Sequence, residues 1–169
     1  NTTSINVSEK FPEVLSANLK LEYFSPTGSF KDRGTSVLIN QAYINGIEEF
    51  AEDSSGNAGA SMSAYAANIG MKAHIFTPNS TPENKKNQIK IFGSELHLID
   101  GPRENSTVAV KEFTKSTGIN YLSHNYNPFF IEGMKSFGNE VFNEFHTDIT
   151  DIVIPVAVSY THLTLPTNT

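Results

Sequence analysis

From residue 19 onward, the chain alternates short apolar runs with longer amphipathic segments. A short apolar run between turn residues is typical of a buried strand, and apolar residues that recur every three or four positions predict a helix. Strands that alternate with helices in this way are typical of β-α-β units. The pattern therefore predicts an α/β fold, a doubly wound and mainly parallel sheet with helices on both faces.

The same pattern predicts the limits of the individual elements. Strands are predicted at residues 19–24, 49–53, 72–77, 95–99, 120–123 and 151–156. Helices are predicted at residues 31–46, 58–69, 82–93, 103–117 and 128–145. In an open parallel sheet, ligands bind where the strands end and the chain enters the next helix. Polar segments follow the strands 19–24 and 49–53, so we expect both of them to face one cleft.

The first polar segment, residues 25–34, reads SPTGSFKDRG. Pro26 and Gly28 predict a turn, so that Lys31 begins the next helix. A lysine in this place can bond an aldehyde cofactor as a Schiff base and then move protons at the α-carbon of a substrate. A lone lysine in the first turn of a helix would ordinarily be a surface residue. Asp32 and Arg33 are interpreted as structural, in a cap contact and an ion pair.

The second polar segment, residues 53–61, reads DSSGNAGAS. Its small residues let backbone N–H groups converge at the start of a helix, where the helix dipole favours an anion. The alternative is a plain helix cap. A third segment, residues 123–136, contains Asn127-Pro128, Glu132-Gly133 and Lys135 at the start of a predicted helix.

Together the three segments resemble the fold type II pyridoxal-phosphate enzymes, a group that includes threonine synthase, cysteine synthase and the tryptophan synthase β chain. The resemblance implies that Lys31 is the Schiff-base lysine and catalytic base, and that Asn57 contacts the cofactor. It also implies a substrate-carboxylate loop made of Ser54, Ser55, Gly56, Asn57 and Ala58. Asn125 is a further candidate substrate contact, although it could equally satisfy its own turn.

The third segment most resembles that of threonine synthases, which convert O-phospho-L-homoserine and water to L-threonine and phosphate. In many of them an arginine beside the substrate phosphate stands where this chain has Phe130. An aromatic ring cannot neutralise a dianion, which weakens this substrate assignment. Threonine or serine dehydratase and a cysteine synthase-like enzyme remain alternatives. A non-catalytic α/β binding domain is the alternative from a different class.

Composition limits the classes of molecule that the chain is expected to bind. The chain has 169 residues, 12 lysines and arginines and a formal charge of -6, which argues against nucleic acid and anionic membranes as partners. The chain lacks cysteine, and its five histidines show no metal-ligand spacing along the sequence, so no metal site is predicted. We expect a small amino-acid substrate, a cytoplasmic location and a possible homodimer of the full-length protein.

The two ends of the chain suggest an incomplete protein. Residues 1–156 are interpreted as the N-terminal portion of a catalytic region, and residues 157–169 as a non-native tail outside the fold. Ala157 and Val158 stand where the resemblance leads us to expect a glycine-rich loop for the cofactor phosphate. The chain by itself is therefore expected to be inactive.

Overall fold

The computed structural model describes residues 1–146 and 148–154. A four-stranded parallel sheet of order β5-β4-β3-β6 lies at the centre of this part of the chain. Its strands are β3 (Glu49–Asp53), β4 (Lys72–Pro78), β5 (Glu95–Ile99) and β6 (Asn120–Tyr121). Two earlier strands, β1 (Ser4–Asn6) and β2 (Asn18–Lys20), form a separate antiparallel pair.

Five helices surround the parallel sheet in the described part of the chain. They are α1 (Lys31–Ile44), α2 (Asn57–Ile69), α3 (Glu83–Lys90), α4 (Arg103–Thr117) and α5 (Pro128–Phe145). None of these helices is both long enough and apolar enough to span a bilayer.

Side chains on both faces of the sheet are buried. Phe50 and Ile75 pack in one core cluster with residues of α1, α2 and α5. The neighbouring residues Ala51 and Phe76 pack instead against Val110 of α4. Because successive side chains of a strand point to opposite faces, this division confirms the predicted doubly wound α/β fold with helices on both faces.

Two of the predicted strands are wrong. Residues 19–24 do not join the parallel sheet, because pairing with β1 ends at Lys20 and residues 22–24 form a short 3₁₀ helix. Tyr23 and Phe24 are each 63% exposed, so this apolar run is not a buried strand. The segment 151–154 has no regular structure, and Val153 is 94% exposed, without a packing partner in the described part. The rest of that predicted strand and the tail 157–169, with Ala157 and Val158, lie outside the described residues.

Helices α1 and α5 approach each other so closely that glycine is required on each. A Cβ atom on Gly133 would lie 2.3 Å from the carbonyl oxygen of Arg33. A Cβ atom on Gly34 would lie 2.7 Å from the ring of Phe130. These contacts place the start of α5 directly beside the start of α1, where Lys31 lies.

The buried guanidinium of Arg33 strengthens this contact. It donates paired hydrogen bonds to Glu22, of 2.7 and 2.8 Å, and to Glu140 of α5, of 2.6 and 2.9 Å. Burial opposes the charged guanidinium, but the hydrogen bonds to both carboxylates outweigh it and raise the pKa of Arg33. Burial alone would raise the pKa of Glu140, yet the hydrogen bonds it receives lower it to about 2. The structural role predicted for Arg33 is thus an ion-pair network.

We expect Arg33→Ala to lower the free energy of unfolding by about 3 kcal/mol. The change removes the guanidinium paired with the largely buried carboxylate of Glu22, and among the described residues it leaves Glu140 with only Lys20 and the N-terminal amine as counter-charges. Urea unfolding at neutral pH measures this loss. The stabilisation of the folded state that Glu140 contributes is fully present above its unfolded-state pKa of 4.5, and it is lost as the pH falls towards 2. Lys135→Ala, which breaks an exposed ion pair with Glu132, is the matched control and should cost less than about 0.5 kcal/mol. Equal losses in the two variants would contradict the network's role.

Candidate active site

A cavity of about 460 Å³ opens at the carboxyl end of β3. Its volume lies within the range of roughly 300 to 1,000 Å³ that is typical of small-molecule sites. All of the site residues predicted from the sequence line it, namely Lys31, Ser54, Ser55, Gly56, Asn57, Ala58 and Asn125. A more open depression of about 610 Å³ lies at the amino ends of β3 and β6 and contains none of them.

Lys31 is the first residue of α1, and only 7% of its surface is exposed. Its backbone N–H donates to Ser29 Oγ at 3.2 Å. Its Nζ lies 4.8 Å from the ring centroid of Phe30 and 5.5 Å from that of Phe130. Burial lowers the pKa of Lys31 from 10.5 to about 8, although the charge of Glu52 acts in the opposite direction. The amine is therefore partly neutral near physiological pH, the form that acts as a nucleophile or base.

Asp32 fixes the turn that leads into Lys31. Its carboxylate accepts hydrogen bonds from the Thr27 N–H at 2.7 Å and from the Thr27 hydroxyl at 2.6 Å. It also accepts one from the Ser61 hydroxyl of α2 at 2.5 Å. This carboxylate joins the lysine turn to the helix on the other side of the cavity, a structural role like the one expected from the sequence.

The N-terminus of α2 forms the wall that carries the predicted carboxylate loop. Its N-cap residue, Gly56, provides no side-chain cap, and the N–H groups of a first helical turn have no partner within the helix. Gly59 lets the loop fold tightly against the helix, because a Cβ atom there would lie 2.7 Å from the carbonyl oxygen of Ser54. Unpaired N–H groups at a helix start suit an anion such as a carboxylate.

The Asn57 side chain has a defined orientation. Its Oδ1 accepts a hydrogen bond of 2.8 Å from Lys85 Nζ of α3. This contact uses the oxygen of the amide and leaves its NH₂ group as the donor towards a ligand. Asn125 is exposed at the cavity, and its backbone N–H donates to Ser123 Oγ at 3.3 Å.

Sequence reasoning missed a buried pair formed by Glu52 and His124. Glu52 is completely buried in β3 and is bonded to His124 Nδ1, while its Oε2 has no hydrogen-bond partner among the described residues. Burial raises the pKa of Glu52, and His124 acts in the opposite direction. His124 lines the cavity, and its ring meets the edge of Phe130. A charged residue inside a buried strand was the signal in the sequence that could have revealed this pair.

Arg103 also lines the cavity and was missed. It is the first residue of α4, its side chain is half exposed, and one guanidinium nitrogen lies 3.4 Å from the carbonyl oxygen of Asp53. Arg103 follows the carboxyl end of β5. The rule that ligands bind where a parallel strand ends and the next helix begins could therefore have identified it from the sequence. Phe130, by contrast, is buried in the core beneath Lys31 and does not line the cavity.

Comparisons with known proteins identify the family of the chain. The sequence pattern of the family described as pyridoxal-phosphate dependent enzyme matches residues 4–165. The chain is 33% identical over 140 residues to a threonine synthase of Methanocaldococcus jannaschii, covering 82% of this chain and 34% of that protein. It is 35% identical over 138 residues to a threonine synthase of a Bacillus species, covering 81% of this chain and 39% of that protein.

A solved structure shares the fold. The O-acetyl serine sulfhydrylase isoform 3 of Entamoeba histolytica superposes with a TM-score of 0.76 at 25% identity, over 85% of this chain and 47% of that one. The fold and the cavity thus define an α/β enzyme of fold type II. The chain belongs to the family of pyridoxal-phosphate-dependent enzymes. It spans only about a third of the length of the threonine synthases it matches.

When the protein is treated with pyridoxal phosphate and borohydride, we expect Lys31 to be the residue that becomes covalently linked to the cofactor. Because an amine reacts in its neutral form, labelling should rise with pH with a midpoint near the lowered pKa of about 8. Glu52→Gln should move the midpoint to lower pH, since it removes a charge that favours the ammonium form. Peptide mass spectrometry across a pH series measures both effects.

Two variants serve as controls for this labelling. Lys31→Ala should abolish the label, and Lys135→Ala, at an exposed lysine of α5, should leave it unchanged. If Glu52→Gln leaves the pH midpoint of labelling unchanged, the electrostatic link between Glu52 and Lys31 is wrong.

Proposed function

We propose that the protein containing this chain is a threonine synthase, which converts O-phospho-L-homoserine and water to L-threonine and phosphate. The observation that carries this proposal is that Lys31 and the uncapped N-terminus of α2 line one cavity. The lowered pKa of Lys31 suits a base. Likeness to two threonine synthases supports it. Carbon–oxygen bond cleavage with phosphate as the leaving group is part of the same proposal.

The residues present fit pyridoxal phosphate. The amine of Lys31 suits its aldehyde, and the NH₂ group of Asn57 suits the oxygen on its ring. When bound, this cofactor supplies an electron sink that stabilises negative charge at the α-carbon of an amino acid.

The chain's own residues bind the substrate and transfer its proton. The first-turn N–H groups of α2, together with Ser54 and Ser55, hold the substrate carboxylate and fix the orientation of the α-carbon. Lys31 Nζ, when neutral, accepts the α-proton and carries it within the cavity. The buried aromatic rings of Phe30 and Phe130 keep water away from this amine and so maintain its low pKa. Asn125 is placed at the rim as a further polar contact.

Arg103 provides the positive charge that a phosphorylated substrate needs. Its guanidinium lines the cavity. In the described part of the chain, its half-exposed side chain makes only long contacts with Asp53, of 3.4 and 4.0 Å, which it can exchange for a ligand. Position 130 could not serve in this way, because its side chain is buried in the core. In this chain the cation for the substrate phosphate therefore comes from the start of α4 instead of the start of α5.

The reaction is tested by assaying the full-length protein with O-phospho-L-homoserine and, separately, with L-threonine. We expect phosphate and L-threonine from the first substrate. The buried Phe130 favours a second candidate, a threonine dehydratase, whose substrate carries no phosphate. Ammonia and 2-oxobutanoate from L-threonine, without L-threonine from phosphohomoserine, would replace the proposal with that candidate.

Arg103→Gln should raise the KM for O-phospho-L-homoserine at least about tenfold, because a charge-assisted hydrogen bond contributes roughly 1.5 to 3 kcal/mol. Arg103→Lys should recover part of this loss, since it keeps the charge without the paired donors. Steady-state kinetics with the phosphorylated substrate measure both variants. Lys135→Gln, which removes an exposed charge elsewhere, is the control. A normal KM in Arg103→Gln would exclude Arg103 from phosphate binding.

A further inference from the structure

Strands β4 and β5 bring two histidines and a glutamate together, away from the residues that line the cavity. In the parallel register, His74 lies opposite Glu95, and Phe76 lies opposite His97. Because alternate residues of a strand share a face, Glu95 and His97 both lie beside His74. The two histidines are 23 positions apart in the chain, so no spacing rule could have paired them.

The distances between their ligand atoms are close to those around a tetrahedral metal ion, with the two histidine nitrogens slightly nearer to each other. His74 Nδ1 lies 3.1 Å from His97 Nε2 and 3.5 Å from Glu95 Oε2. His97 Nε2 lies 3.6 Å from Glu95 Oε1. Zinc bonds of roughly 2.0 to 2.2 Å place neighbouring ligands of a tetrahedron about 3.3 to 3.6 Å apart. A metal ion would therefore fit between these atoms with only small side-chain movements.

Neighbouring residues hold both imidazole rings in place. His74 is buried, and its Nε2 lies 2.7 Å from Glu49 Oε1, which puts the proton on Nε2 and leaves the lone pair of Nδ1 facing His97 and Glu95. In zinc proteins, the ring nitrogen that does not bind the metal commonly donates a hydrogen bond to a carboxylate, which fixes the ring. The ring of His97 stacks on Phe76, with centroids 4.3 Å apart and planes 6° apart.

The charges around the cluster also suit a cation. The carboxylates of Glu49 and Glu95 both lie within ion-pair distance of His74, at 2.7 and 3.5 Å. Lys72 is the competing cation, with its Nζ 2.8 Å from Glu49 and 3.6 Å from Glu95. It is 58% exposed, so it can release Glu95 and keep its shorter contact with Glu49.

From this geometry we propose that His74, Glu95 and His97 form a binding site for a divalent metal ion, with zinc as the best match. Two imidazoles and a carboxylate suit zinc, and the half-exposed Glu95 leaves room for water as the fourth ligand. The ion would join β5, an edge strand of the described sheet, to β4. None of the three ligands lines the cavity, so the site stabilises the fold and takes no part in the chemistry at Lys31.

Calorimetric titration of the metal-free protein with zinc chloride tests the proposal. We expect one zinc ion per chain and a higher melting temperature with zinc present. His97→Gln and Glu95→Gln should each weaken binding at least about tenfold, whereas Lys72→Met should strengthen it by removing the competing charge. His146→Asn, at a histidine that follows α5 and packs on Phe142, is the matched control and should bind as before.

A second measurement does not depend on the folding of any variant. Cobalt(II) in a tetrahedral site of the unaltered protein gives an intense visible absorption band, which added zinc should abolish. Absence of saturable zinc binding, an unchanged affinity in His97→Gln, or a cobalt spectrum of an octahedral ion would each overturn the proposal. The two histidines would then form only a hydrogen-bonded pair. These outcomes are independent of the proposed reaction, which is read from substrate turnover.

Discussion

The close contact between α1 and α5 is the constraint on which the candidate active site depends. The two backbones meet where only glycine fits, at Gly34 and Gly133, and the buried Arg33 network holds them there. This contact places Phe130 beneath the Lys31 amine. Separation of the helices would admit water to the amine, and its pKa would return towards that of an ordinary lysine. Helix packing in this protein therefore controls the chemistry of its reactive group.

Two groups in or next to the cavity are costly to bury. The Lys31 amine has little contact with solvent, and Glu52 is a fully buried carboxylate with one oxygen that has no hydrogen-bond partner among the residues that the structure describes. Burying such groups is unfavourable unless they are paired, and His124 compensates only one of the two oxygens of Glu52. The remainder of the fold, above all the apolar core on both faces of the sheet, must offset this cost. Such local instability is common where a protein prepares reactive groups.

Hydrophobic periodicity predicted the regular elements well. The strands 49–53 and 95–99 and the helices 103–117 and 128–145 have the predicted bounds. Periodicity failed for 19–24 and 151–154, because an apolar run becomes a buried strand only where a neighbouring strand and a covering helix are available. Leu19 and Lys20 pair only with the short strand β1, outside the parallel sheet. Tyr23, Phe24 and Val153 are exposed in the part of the chain that the structure describes.

The sequence by itself determined the α/β class, the family and the loops that carry Lys31 and Ser54 to Ala58, because these are properties of local pattern and of short contiguous segments. Tertiary structure decided which distant residues join them. His124 meets Glu52 and Arg103 reaches the cavity through helix and strand packing, and His74 meets His97 through the strand register. No spacing along the chain encodes such pairs, since the fold alone brings residues from separate strands and helices within bonding distance.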